Sequence, residues 1–279
     1  MTEQKTMRTA FVTGGSRGIG EAISRRLTLD GFAVTYTARD SSSLVRAKER
    51  YDRWFKKVRV NRRDRSQRVM HAPVGILLDL SDFARDPDKA WTALLSRWVP
   101  ATDYLHALVN NAGICKQTPF EPESSPPFRD ILDIYAVNLL GTQMLGRWFM
   151  TKMRSGSSIV NIASQLGKVG RAGFDAYAAT KHGILGLTKC WAAYLGSRHI
   201  RVNAVCPCWT ETLLNTQSLR QSAKKEGVTL AAFRARTTSH LTLRRFNTPK
   251  EVAAAVSFLV SDEASGITGC SIDMAGPLG

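Results

Sequence analysis

The sequence predicts an α/β fold: a doubly wound domain with a seven-stranded parallel sheet and helices on both faces. Three observations predict it. Apolar runs of strand length alternate with helix-length amphipathic segments from end to end. Several runs are almost continuously apolar, as strands covered on both faces must be. A glycine-rich turn joins the first run to the first helical pattern, where a nucleotide-binding domain would carry it. Such alternation implies parallel pairing through right-handed crossovers.

Taken in order, the first strand is expected at residues 9–13 and the first helical pattern at 21–29. A second strand follows at 33–37, then a basic insertion over about 41–73, long for one crossover and expected to include an exposed excursion. Strands at 74–78 and 107–110 precede a helical pattern at 128–153, and a strand at 158–162 precedes another at 177–195. Strands at 201–205 and 271–274 complete the set, with a loop-rich insertion at 210–248 between them. Near the carboxyl ends of parallel strands, such an insertion is placed to act as a substrate lid. No repeat or linker interrupts the pattern, so residues 1–279 are read as one domain.

Composition narrows the class. Hydrophobic residues make up 43% and charged residues 22%, as in a folded soluble protein. No apolar stretch is long enough to span a membrane, and the first ten residues hold no secretory core. An intracellular, cytoplasmic protein is expected; the high pI would also suit the mitochondrial matrix, although no presequence is evident. Cys115, Cys190, Cys206, Cys208 and Cys270 are odd in number and lack metal or disulfide spacing, so free thiols are expected. The five histidines form no ligand spacing either, and no metal is expected. Residues 46–68 hold eleven Lys/Arg against three acids, half of the net charge of +16. That favours polyanionic partners: nucleic acid, an anionic membrane or an acidic carrier protein.

The turn reads Thr13-Gly14-Gly15-Ser16-Arg17-Gly18-Ile19-Gly20. Its glycines allow a tight bend and let a pyrophosphate approach N–H groups at a helix N-terminus, although the spacing is not the usual dinucleotide fingerprint. At the end of the second strand stands Thr37-Ala38-Arg39-Asp40. An NAD enzyme needs a carboxylate there for the ribose 2′-hydroxyl, an NADP enzyme a cation for the 2′-phosphate. Arg39 with Arg17 favours NADP(H); the other reading makes Arg39 a surface charge and Asp40 the ribose acceptor.

Tyr177 and Lys181, four residues apart, share one helix face, and Ser164 stands just past the fifth strand. With Asp79-Leu80, Asn110-Asn111-Ala112-Gly113, Asn138, Pro207 and Thr212, these marks identify a resemblance to the short-chain dehydrogenase/reductase family over nearly the whole chain. The resemblance implies a Rossmann-type NADP(H)-binding domain with Asn138, Ser164, Tyr177 and Lys181 as its catalytic set. Tyr177 would pass a proton to the carbonyl oxygen, Ser164 would hold that oxygen, and Lys181 would lower the tyrosine pKa and bind the nicotinamide ribose. Asn138 would anchor a water leading from Lys181 to solvent. The resemblance also implies that Asp79 meets the adenine, with Leu80 beside it. Asn111, Ala112 and Gly113 would support the adenosine ribose, and Pro207, Thr210 and Thr212 the carboxamide. Cys208 stands where the family usually has Gly, and the chain reads Asp273-Met274-Ala275-Gly276-Pro277 where Asp-Gly-Gly is commoner; both bear on pocket shape.

Within that family the chain most resembles 3-oxoacyl-[acyl-carrier-protein] reductases, and over residues 205–276 the ketoreductases of aromatic polyketide synthesis. The first likeness implies an acidic carrier protein docked by Arg154 and Arg198, and a homotetramer packed through the helices at 128–153 and 177–195. Two alternatives remain: a carbonyl reductase for free ketones, sugars or steroids, and a nucleic-acid-binding protein acting through 46–68. No nucleic-acid motif accompanies that segment, and as a sole role the last is not expected.

Overall fold

A computed structural model describes residues 7–61, 70–98, 104–119 and 128–274. Seven parallel strands lie in the order β3-β2-β1-β4-β5-β6-β7. In chain order the first four elements are β1 (Arg8–Val12), α1 (Gly18–Leu29), β2 (Phe32–Ala38) and α2 (Ser41–Asn61). They are followed by β3 (Val74–Leu77), α3 (Asp82–Arg85), α4 (Pro87–Arg97) and β4 (Leu105–Asn110). Then come α5 (Phe128–Tyr135), a π-helical turn (Ala136–Leu140), α6 (Gly141–Met150), β5 (Met153–Ile162) and α7 (Asp175–Leu195). The chain continues with β6 (Arg201–Pro207), α8 (Leu213–Lys225), α9 (Leu230–Ser239), α10 (Pro249–Val260) and β7 (Ser271–Met274).

The continuous apolar runs become the central strands because both sheet faces are covered. Every residue of β6 is buried. Alternate side chains of β1 go to opposite cores: Phe11 joins Leu94, Leu108, Phe149 and Leu195 on one face. Ala10 and Val12 join Ile23, Leu27, Val252 and Val256 of α1 and α10 on the other. Each such Leu, Ile or Phe contributes about 1.5–3 kcal/mol by burial. α10 begins with Pro249 at its first position and a reciprocal Thr248–Glu251 cap.

Three regions differ from the sequence expectation. The basic stretch opens as the crossover helix α2, because Ala47 and Tyr51 bury against Tyr36 of β2 and the Tyr51 hydroxyl donates to Gly15 O at 2.8 Å. Residues 62–69, where the run ends, lie outside the described residues. The helix expected through 153 breaks at the π turn and stops at Met150, and Met153 already pairs with Leu105 of β4. The 210–248 insertion holds two helices around a core of its own, formed by Leu219, Ala223, Phe233, Leu241 and Phe246.

Candidate active site

At the carboxyl ends of the strands lies a cleft of about 690 Å³. Its floor at one end is the glycine turn. Gly14 (φ +64°) and Gly18 (φ +58°) adopt the left-handed conformation that other residues resist. A Cβ on Gly20 would come within 2.3 Å of Gly14 O and 2.5 Å of Asn111 Nδ2. Arg17 occupies the cap position of α1 without a side-chain capping bond, which leaves the helix's first N–H groups directed at the cleft. That is the donor set a pyrophosphate needs. The Thr13 hydroxyl fixes the turn against the neighbouring strand end, accepting from the backbone N–H groups of Asn111 and Ala112, both at 2.9 Å.

Of the residues expected to hold a cofactor, Gly14, Ser16, Arg17, Gly18, Ile19 and Gly20 line this cleft, as do Arg39, Asp79, Leu80, Asn111, Ala112, Gly113, Pro207, Thr210 and Thr212. Gly15 does not line it. Its open side faces the sheet, where a Cβ would meet Tyr36 Cβ at 2.5 Å, so its smallness serves packing. Asp79 accepts from Ser81 N and Oγ at 2.9 and 2.8 Å. Thr212 caps α8 by accepting from Asn215 N at 3.2 Å, with its hydroxyl proton still free to donate. These residues fit a nicotinamide dinucleotide.

Ser43 and Arg46 also line the adenosine end; sequence reasoning missed both. The signal was present, since Asp40-Ser41-Ser42-Ser43 is a helix start that brings residues 43 and 46 onto one face. Asp40 itself starts that helix: Oδ1 accepts from Ser42 Oγ and Ser43 N, and Oδ2 from Ser43 Oγ. Those bonds hold its carboxyl down to about 2.

At the other end Ser164, Tyr177 and Lys181 converge. Ser164 follows β5, its Oγ accepting from Leu166 N at 3.2 Å, and it lines the cleft together with Tyr177. Lys181, one turn after Tyr177 on α7, donates to Ile162 O at 2.8 Å, and its Nζ lies 5.6 Å from the Tyr177 ring centroid. The lysine was expected to lower the tyrosine pKa. Instead burial raises the phenol above its ordinary value and, with it, lowers Lys181 to about 8. Desolvation outweighs attraction because both groups lie deep in a cleft without a carboxylate beside them. A phenol held protonated is the state a proton donor needs.

Asn138 does not border the cleft. Its Oδ1 accepts from Ile114 N at 2.8 Å, and its Nδ2 donates to Ile114 O and Thr180 Oγ1 at 2.9 and 3.2 Å. From inside the π turn it ties the loop after β4 to α7, so its side chain positions rather than reacts. Arg154 and Arg198 are not at the pocket mouth either, for they lie at the amino-terminal ends of β5 and β6. Arg198 donates to Met150 O and Met153 O, closing the C-terminus of α6, and Arg154 lies 4.5 Å over the Tyr104 ring.

Comparison with known proteins agrees with this geometry. A family model described as enoyl-(acyl carrier protein) reductase matches residues 14–276. A protein of Streptomyces virginiae, named as a ketoacyl reductase of the monensin polyketide synthase, is 32% identical over 281 residues, 99% of this chain and 98% of its own. A 3-oxoacyl-[acyl-carrier-protein] reductase of Thermotoga maritima is 31% identical over 268 residues, 96% of each chain. Among solved structures, a single-site variant of the actinorhodin polyketide ketoreductase with NADPH superposes with a TM-score of 0.80 at 26% identity, covering 98% of this chain and 97% of that one. A dinucleotide cradle opening onto a serine, tyrosine and lysine, with relatives matched along its whole length, makes this chain a member of the short-chain dehydrogenase/reductase family of oxidoreductases, which interconvert ketones and alcohols with a nicotinamide cofactor.

Proposed function

We propose that the protein reduces a 3-oxoacyl thioester, presented by an acidic acyl carrier protein, to the 3-hydroxyacyl thioester with NADPH. The engagement of Asp40 is the observation that carries the cofactor choice. Both its oxygens serve the start of α2, so the ribose has no free carboxylate at the end of β2. Arg17, Arg39, Ser43 and Arg46 line the same end of the cleft, a donor set for a 2′-phosphate. NADPH supplies the hydride. Tyr177 gives its proton to the carbonyl oxygen, Ser164 donates a hydrogen bond to it, and the Lys181 ammonium stabilises the phenolate left behind. The Thermotoga maritima relative supports the thioester. Exposed Phe128, Leu132 and Leu140 around α5 and Tyr194 on α7 support the homotetramer that the family resemblance implies.

One observation favours a second reading, a reductase of free ketones or polyketides: Arg154 and Arg198 stand at the sheet edge opposite the cleft. The test follows NADPH and NADH absorbance with acetoacetyl-carrier protein, acetoacetyl-coenzyme A and a free diketone, beside Tyr177→Phe. The expected outcome is NADPH-selective turnover that is fastest on the carrier thioester and is lost by at least about 100-fold in Tyr177→Phe. Preference for NADH would overturn the arginine clamp, and faster turnover of the free diketone would establish the second reading.

A further inference from the structure

Five cations line the cleft: Arg17, Arg39, Arg46, Arg171 and Lys181. Three belong to the adenosine end and Lys181 to the reacting group. Arg171 has no part in either. It stands in the loop between Ser164 and Tyr177, its guanidinium 5.2 Å from the Phe174 ring centroid and 5.4 Å from that of Trp209. Trp209 is itself held by stacking on Phe246, with centroids 5.8 Å apart. The cation is thus clamped between two rings of the cleft wall.

The three carboxylates lining the cleft are all engaged elsewhere: Asp40 caps α2, Asp79 binds Ser81 and Glu211 pairs with Arg234. Among the described residues no acid lies within ion-pair distance of Arg171. Arg171 lines the same cleft as Ser164, Tyr177 and Lys181, so its guanidinium shares the space in which the ketone must sit. Ring faces compensate a half-buried cation only in part, and they leave its in-plane N–H donors unused.

Resting on the ketone–alcohol reading of the Ser164–Tyr177–Lys181 site, the geometry points to Arg171 as the specificity-determining residue of this cleft, receiving an oxyanion carried by the substrate. A planar fork placed beside two rings in the cleft wall suits a carboxylate or a phosphate, which accept two parallel N–H bonds. The oxyanion has two possible sources, a carboxylate on the keto compound itself or a phosphate on its pantetheine arm.

Two substrate pairs separate them: acetoacetate against methyl acetoacetate, and acetoacetyl-coenzyme A against S-acetoacetyl-N-acetylcysteamine. In each pair the first member is anionic and the second neutral. The charged-to-neutral ratio of kcat/KM is measured in the wild type, Arg171→Met and Arg171→Lys. In one pair Arg171→Met lowers that ratio by about 10- to 100-fold, the worth of a charged hydrogen-bonded contact, and Arg171→Lys restores part of it. The pair that responds names the source. If neither ratio changes by more than about 2-fold the assignment of Arg171 is overturned, since a merely structural arginine moves both members alike. Titration calorimetry of the same compounds into the NADP+ complex, which has no hydride to give, yields a second ratio that needs no turnover. Arginine-dependent anion binding without reduction would keep this proposal and sink the reductase reading. Binding indifferent to Arg171 would overturn the proposal, whatever the enzyme reduces.

Discussion

Lys181 shows at the scale of one residue how catalysis and stability oppose each other. It is only 4% exposed, and burial lowers its pKa from 10.5 to about 8. The unfolded chain therefore binds the proton more tightly than the native one. The penalty for keeping the charge in place is full below pH 8 and fades between about 8 and 10.5, so this group's contribution to stability rises with pH across that window. Lys181→Met is expected to abolish turnover yet unfold at higher urea at pH 7, by on the order of 1–3 kcal/mol. Its advantage should shrink when the titration is repeated at pH 10. Tyr177 and Lys181 were legible because their spacing is written in a single helix. Arg171 was not: two ring partners lie within the loop and β6–α8 region, and only the fold brings Trp209, thirty-eight residues later in the chain, against it.

Among the elements, the loop after β4 and α7 are held together by Asn138, which is itself only 1% exposed. Asn138→Ala removes the bonds to Ile114 and Thr180 and leaves Ile114's backbone groups unpaired. It should cost about 1–3 kcal/mol in urea unfolding and lower kcat more than it raises KM for the cofactor, because Lys181 and Gly113 lose their shared support. The central strands were readable from apolar runs, since parallel strands covered on both faces are written as continuous hydrophobicity. The break between α6 and β5 was not. Only Thr151 and Lys152 separate the buried Met150 and Met153, and two polar residues are as easily read as the solvent face of a helix that continues. Nor did the basic run reveal that α2 is a crossover helix. Its buried face is narrow, carried by Ala47 and Tyr51, and the charges on the remaining surface mask that period.

For the whole molecule the governing quantity is charge. A net +16 attracts an anionic cofactor from a distance, and the attraction is screened over about 8 Å at physiological ionic strength. Raising salt from 20 to about 500 mM is therefore expected to raise KM for NADPH more steeply than KM for NADH, because only NADPH carries the 2′-phosphate to the arginine end. Equal slopes in a steady-state titration would show that the arginines act at short range alone. No helix among the described residues is long and apolar enough to cross a membrane.

The π turn at Ala136–Leu140 makes the rod between β4 and β5 tolerant of its own length. Five residues there sweep about the angle that four sweep in a regular helix, so the surplus residue is absorbed where it stands and α5 and α6 keep their phase. Deleting one residue from this turn would restore a regular helix and leave Leu145 and Phe149 facing the sheet. What would be lost is the bulge that carries Asn138. A missing codon here would spare the core and spend the latch.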